Sequence, residues 1–236
     1  MEFKAYASSS AGNAYSVTDG MTTILLECGV SHTKLQKLCG FNLSEIHGCF
    51  VSHEHKDHSK AVEELISRGV DVYMSRGTAE ALEVEGAQIV EAMEQVNVGT
   101  LDIVPFTTFH DAREPLGFLI KSRLDGDVLA FATDTVNLRY KFPGLTILAI
   151  EANYDKEILA RCEKMPEKVR YRITRSHMEI DTLCDYLRGL DLSKCREVHL
   201  LHLSDATSHE GHFLGKVARA VPPGVRVTAC AKERKV

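Results

Sequence analysis

The sequence has no surplus of positive charge: 28 Lys and Arg stand against 33 Asp and Glu, for a formal net charge of -5. A protein that coats nucleic acid at large carries a basic excess, so that class is excluded, although a local basic groove is not. There is no C-x-x-C pair. The seven cysteines, Cys28, Cys39, Cys49, Cys162, Cys184, Cys195 and Cys230, are odd in number and scattered. That pattern excludes a disulfide framework, fits a reducing compartment, and leaves the thiols as small core residues. No apolar run reaches membrane-spanning length, and the opening MEFKAYASSSAGNAY lacks a charged start followed by an apolar stretch. The expectation is a cytoplasmic protein with no membrane partner. Internal repeats, low-complexity tracts and a Pro/Gly/Ser-rich linker are missing as well, which predicts one domain over residues 1–236.

What is present suits that reading. With 44% apolar residues in 236, the chain can cover two packed layers of sheet. Its first third reads as short strands at Phe3–Ala7, Ala14–Thr18 and Thr22–Glu27, with SSSAGN and Asp19-Gly20 as turns. Helical spacing follows at Ser31–Leu38, Ser59–Arg68 and Gly77–Leu82. Later strands are expected at Leu101–Thr108, Leu116–Ser122, Val128–Ala132, Leu145–Ile150, Val198–Leu203 and Val225–Ala229. Helices are expected at Lys156–Glu163, Ile180–Arg188 and Glu210–Ala220. Strands with interspersed helices make a layered α/β arrangement.

The densest chemistry lies in Val51-Ser52-His53-Glu54-His55-Lys56-Asp57-His58-Ser59. His53 and His55, two residues apart, point the same way from an extended backbone. Asp57 and His58 diverge, as a second metal beside the first would require. Imidazole and carboxylate are the usual ligands of zinc and similar divalent ions. The bland alternative, a solvated helix start capped by Asp57, suits a lone histidine better than three. One such run supplies at most four ligands. Further candidates sit where apolar runs meet polar turns: His110, Asp134 and His202.

His53-x-His55-x-Asp57-His58, followed in order by His110, Asp134 and His202, resembles the metallo-β-lactamase superfamily. The resemblance implies a four-layer αββα sandwich of two mixed β-sheets flanked by helices. It also implies two divalent metal ions, zinc on ligand type, with manganese or iron also accepted by such a site. His53, His55 and His110 would hold the first, Asp57, His58 and His202 the second, and Asp134 would bridge them. Two such cations hold a shared water as hydroxide near neutral pH and neutralise charge on the group under attack.

A carboxylate at position 134, where true β-lactamases commonly carry cysteine, directs attention to thioester hydrolases of the glyoxalase II kind and to phosphodiesterases. Three segments favour the latter. Ser8-Ser9-Ser10-Ala11-Gly12-Asn13 is a small polar turn whose Ser10, Gly12 and Asn13 could approach an anion. Ile150-Glu151-Ala152-Asn153-Tyr154-Asp155 follows a buried strand, and Ser176-His177-Met178-Glu179 opens a helix, whose start can hold an anion. The pair Glu151 and His177 is similar to the glutamate and histidine of ribonuclease Z and YycJ/WalJ-like phosphodiesterases, a subgroup with phage-borne members. The implied enzyme is a DNA nuclease, an exonuclease, in which metal-bridged hydroxide attacks phosphorus. Asp57 would orient the hydroxide, and His177, aligned by Glu151, would protonate the leaving oxygen. The alternatives are a cyclic-nucleotide or other small-molecule phosphodiesterase, a thioester hydrolase, or a metal-binding scaffold without catalysis.

The partner is thus a nucleic acid or nucleotide, and self-association into a homo-oligomer is compatible with the sequence. Lys164, Lys168, Arg170, Arg172 and Arg175 are the candidate phosphate-backbone contacts, against the simpler reading of a solvated face. Two departures from the superfamily stand out: Glu27 replaces a customary aspartate behind the ligands, and Tyr154 replaces a histidine common in the subgroup. His32, His47 and His199 read as surface or core-edge groups. His209-Glu210-Gly211-His212 has the wrong spacing for a zinc-protease helix.

Overall fold

A computed structural model of the chain describes residues 1–40 and 43–230; the basic tail of Lys232, Arg234 and Lys235 lies outside the described residues. The strands form two mixed sheets, and the chain divides into two compact units. One comprises Met1–Thr107 and Ala112–Asp127, the other Thr108–Asp111 and Val128–Cys230.

In the first unit, β1 (Glu2–Ser9), β2 (Gly12–Thr18) and β3 (Thr23–Cys28) form an antiparallel meander. Three short strands then join in parallel: β4 (Cys49–Phe50), β5 (Val72–Met74) and β6 (Gln88–Ile89). The parallel strands need crossovers, and the helices supply them. These are α1 (His32–Leu38), α2 (Lys56–Ser59), α3 (Val62–Ser67) and α4 (Arg76–Leu82). Leu25, Leu35, Val51, Leu65 and Met74 are fully buried between helices and sheet. A second antiparallel ladder follows in β7 (Val96–Val98), β8 (Leu101–Thr107) and β9 (Leu116–Ser122).

Four parallel strands organise the second unit: β10 (Val128–Ala132), β11 (Ile147–Glu151), β12 (Glu197–Leu201) and β13 (Arg226–Ala229). VLAFA and ILAIE are buried throughout. Such unbroken apolar runs belong to parallel strands covered on both faces. Around them lie α5 (Lys156–Arg161), α6 (Glu167–Ser176), α7 (Ile180–Arg188) and α8 (Glu210–Ala218). Helix α7 buries Ile180, Leu183, Cys184 and Leu187 along one stripe, and the Glu179 carboxylate caps its first turn.

Three elements differ from expectation. The helix read over Ser59–Arg68 begins earlier, at Lys56, and is broken at Lys60–Ala61. The break has a tertiary cause: the Ala61 amide donates to the Cys28 carbonyl at 2.9 Å. Ser176 and His177 do not open a helix; Ser176 ends α6, His177 follows as its C-cap, and Glu179 opens α7. Helix α6 itself has only Val169 and Ile173 as aliphatic members, too few for a periodic signal. The cysteines are all free, as anticipated.

Gly29, just after β3, shows how tightly the metal-ligand run is seated. A Cβ there would lie 1.6 Å from the Asp57 carbonyl oxygen. Gly29→Ala must displace the 57–58 backbone and is expected to cost about 3 kcal/mol. Gly215→Ala, in α8 with its nearest neighbour at 3.6 Å, should add about 0.5–1 kcal/mol through helix propensity. Thermal unfolding compares the two; a wild-type midpoint for Gly29→Ala contradicts the packing described.

Candidate metal centre

Apart from His110, which follows the antiparallel strand β8, the candidate ligands stand at or just beyond the C-terminal ends of parallel strands in both units. In the first unit Leu26 of β3 is in register with Phe50 of β4. The residues that follow each therefore emerge side by side, about 4.8 Å apart. From β3 comes Glu27, fully buried with φ 65. From β4 come Val51 and Ser52, then the histidines. The Ser52 amide donates to Glu27 Oε1 at 3.2 Å, and the Ser52 carbonyl accepts from Leu116 N at 2.9 Å. The Ser52 hydroxyl lies 2.8 Å from His53 Nδ1, leaving His53 Nε2 3.1 Å from His55 Nδ1. Two nitrogens on one tetrahedral zinc, with bonds of about 2.0–2.1 Å, sit roughly 3.3 Å apart. The observed spacing fits a shared cation.

The turn that carries Asp57 and His58 is fastened from below. Ser59 Oγ donates to the Glu54 and His55 carbonyls at 2.9 and 3.0 Å. His58 is buried, with Nδ1 3.4 Å from Glu27 Oε2 and Nε2 3.4 Å from Asp57 Oδ2. Glu27 thus reaches the position behind a ligand that an aspartate customarily fills, with its longer side chain compensated by a left-handed backbone.

The candidate substrate-binding turn has a different occupation. Asn13 is fully buried; its amide donates to the Asp57 carbonyl at 3.1 Å and lies 3.1 Å from His58 Nε2, while its Oδ1 accepts from Ser9 N and Tyr15 Oη. The Ala11 amide is bonded to Ser9 Oγ. Gly12, at φ 152, abuts Gly29 and Val30, and Ser10 is exposed at the tip. Asn13 therefore braces the ligand turn, and two of the amides that might have met an anion are already bonded.

In the second unit the register Ala132↔Ile150 and Glu151↔Leu201 sets three strand ends abreast. Asp134, Glu151 and His202 leave from them. With His177 they form a cluster in which one ligand atom from each lies within 4.8 Å of the others. Two carboxylates and two imidazoles at that spacing suit a divalent cation by ligand chemistry. Asp134 and His202 take left-handed backbones, φ 43 and 52. Three of the five non-glycine residues with positive φ among the described residues are thus Glu27, Asp134 and His202. Such strain persists where the surroundings over-determine it.

Each group in this cluster is held from behind. His110 Nδ1 donates to the Ser176 carbonyl at 2.7 Å, directing Nε2 to within 3.5 Å of Asp134 Oδ2. Burial holds the His110 imidazole below its usual pKa despite Asp134 nearby. Asn153 Nδ2 lies 3.1 Å from His202 Nδ1 and donates to the His202 carbonyl at 2.9 Å. Glu151, fully buried, accepts from Thr135 N at 2.8 Å and Met178 N at 3.1 Å through Oε2, while Oε1 is 2.6 Å from His177 Nδ1. Burial pushes the Glu151 carboxyl up, and the His177 charge and hydrogen bond bring it below its ordinary value. Burial likewise pushes His177 down, and Glu151 raises it above the usual imidazole range.

Sequence reasoning missed Ser176 and Asn153 as supports. Their only signal is position beside a strand end or a ligand. Three other histidines are tied into the fold: His47 Nδ1 accepts from Thr23 N, His199 bonds Glu197 and Thr228, and the His209 ring caps α8 at His212 N.

A family profile described as the beta-lactamase superfamily domain matches residues 22–202. The chain belongs to that superfamily. It is a metal-dependent hydrolase with the superfamily's two mixed sheets flanked by helices. It is 26% identical to the exodeoxyribonuclease YycJ of Bacillus anthracis, across 86% of this chain and 83% of that one. Among solved structures it resembles the metallo-beta-lactamase fold protein YhfI of Bacillus subtilis, with a TM-score of 0.75, 14% identity, and 98% and 97% of the two chains covered. It also resembles zinc-bound PqqB of Methylobacterium extorquens, with a TM-score of 0.74, 12% identity and 99% of both chains covered. Among the described residues no helix is long and apolar enough to cross a membrane.

Asn153→Ala should leave the fold intact and weaken metal retention about 10–100-fold by freeing the His202 ring. Competition with a chromogenic chelator, beside far-ultraviolet circular dichroism, reads this. Wild-type retention would reduce Asn153 to a packing residue.

Proposed function

We propose that this superfamily member is a phosphodiesterase of the YycJ/WalJ kind that removes nucleotides from DNA in a reducing, cytoplasmic compartment, with both units acting as one hydrolase domain. The observation that carries the reading is the Glu151–His177 pair. It is a charge-assisted carboxylate–imidazole couple at 2.6 Å, set within the Asp134–His202 cluster. Thioester hydrolysis expels a thiolate that leaves readily; a nucleoside alkoxide leaves far less easily and needs a proton. A histidine whose Nδ1 is held 2.6 Å from a buried carboxylate is placed to supply one. The 26% identity to an exodeoxyribonuclease points the same way.

His53, His55 and His110 would hold one divalent cation, Asp57, His58 and His202 the other, with Asp134 between them and zinc the ligand-based choice. When bound, the two cations acidify a water and offset the negative charge that builds on the phosphoryl oxygens. The chain's own groups do the rest. Asp57 orients the attacking water. Glu151 keeps the His177 Nδ1 proton on its own side, which leaves Nε2 to deliver a proton to the departing oxygen.

Leaving-group dependence tests this. His177→Ala should lower kcat about 10²–10⁴-fold on a nucleotide phosphodiester. It should have little effect on a bis(p-nitrophenyl) ester, whose phenolate departs unprotonated. Metal analysis of both proteins should give two divalent ions per chain. Equal losses on the two substrates, or hydrolysis of a glutathione thioester independent of His177, would sink the assignment.

A further inference from the structure

Residues 164–175 carry five cations, Lys164, Lys168, Arg170, Arg172 and Arg175, and a single acid, Glu167, in a chain whose net charge is -5. Most of this segment is α6, and its arrangement is more specific than its charge. Lys168, Tyr171, Arg172 and Arg175 are spaced i, i+3, i+4, i+7 and share one exposed face of the helix. Tyr171 is 61% exposed, with the Arg175 guanidinium 5.3 Å from its ring centroid. An aromatic ring left in water between cations is unusual for a merely solvated face, which has no use for it.

The stripe is also tied to the catalytic cluster of its own unit. Arg172 Nε donates to Asp111 at 2.7 Å, next to the candidate ligand His110. The last residue of α6, Ser176, accepts the His110 Nδ1 proton through its carbonyl, and His177 follows directly. A track of three cations around one aromatic face therefore ends beside the proposed proton donor.

We infer that this face of α6 binds the single-stranded end of the nucleic-acid substrate, with a base stacked on Tyr171 and the backbone phosphates on Lys168 and Arg175. The inference rests on the phosphodiesterase reading and names its substrate class. Every base offers a face for stacking, so the track is tolerant of sequence, and cations spaced along it follow the backbone. A membrane-binding helix would instead present a broad apolar face of large residues; here only Val169 and Tyr171 are exposed. At about 1.5 Å per residue the ten-residue helix spans roughly 15 Å, or about four stacked nucleotides at ~3.4 Å each. A dinucleotide is therefore too short to use the stripe.

The test uses the metal-loaded full chain, with Tyr171→Ala and the double variant Lys168→Glu/Arg175→Glu. Binding of a fluorescent, hydrolysis-resistant phosphorothioate dT10 is followed by anisotropy. Turnover is measured on dT10, on dT2 and on bis(p-nitrophenyl) phosphate. Tyr171→Ala should weaken dT10 binding and lower its kcat/KM about tenfold or more. The double variant should weaken binding further and flatten the salt dependence of log Kd by about 0.7 per cation lost. Turnover of dT2 and of the aryl ester should stay at wild type in both. Unchanged dT10 binding overturns the inference. So does a parallel fall on all three substrates, or preferential binding to phosphatidylserine vesicles. If the wild type hydrolyses none of the three, the phosphodiesterase reading fails, while the binding data still decide whether the stripe holds a single strand.

Discussion

Parallel strands in register finish together, and that single constraint makes the centre. In the second unit, Ala132 pairs with Ile150 and Glu151 with Leu201. The chain can leave the sheet only there, and it does so through Asp134, Glu151 and His202. In the first unit the pairing of Leu26 with Phe50 likewise sets Glu27 beside the start of the His53–His58 run. The candidate ligands are distant in sequence because parallel strands require long crossovers. Within each unit they are adjacent in space because the ladder hydrogen bonds leave no freedom of register. A one-residue slip would turn every one of these side chains to the opposite face.

Around that frame the same solution recurs at three imidazoles: a buried acceptor stands behind the ring and fixes its orientation. Glu27 stands behind His58, the Ser176 carbonyl behind His110, and Glu151 behind His177. The Glu151 pair is the tightest, and its direction of mutual influence is opposite to what burial alone would impose on either partner. A carboxylate with two backbone amides on one oxygen and an imidazole on the other is rigid. Rigidity is what a proton donor needs if its distance to the leaving group is to be set before the substrate arrives.

Much of this was legible in the amino-acid order, and the parts that were not share a cause. Strands β9 and β10 and helix α7 fall where Leu116–Ser122, Val128–Ala132 and the Ile180–Leu187 periodicity put them, because burial pattern alone decides them. The ligand run was legible because four ligand-type side chains in six residues have few other uses. The split at Lys60–Ala61 was not, since it depends on a bond to Cys28, over thirty positions away. Asn13 looked like part of an anion-binding turn because residue types do not reveal that its amide faces inward. Helix α6 was hidden because its stability owes little to buried aliphatic residues, so hydrophobic periodicity had nothing to report.

The backbone strain at Glu27, Asp134 and His202 follows from the same geometry. A strand that simply continued would carry the next side chain past the cluster; a left-handed residue turns it inward at a cost of about 1–3 kcal/mol each. In the second unit that cost adds to the mutual repulsion of Asp134 and Glu151, both nearly without solvent. His177 and His202 offset that repulsion at Glu151, whose carboxyl ends below its ordinary value. Cations suited to this ligand set would add to that offset, which would link metal binding to folding of the second unit. The apolar ladder of β10 to β12 holds the strained turns in place. On this account the unbroken burial of VLAFA and ILAIE serves the site as directly as the ligands do.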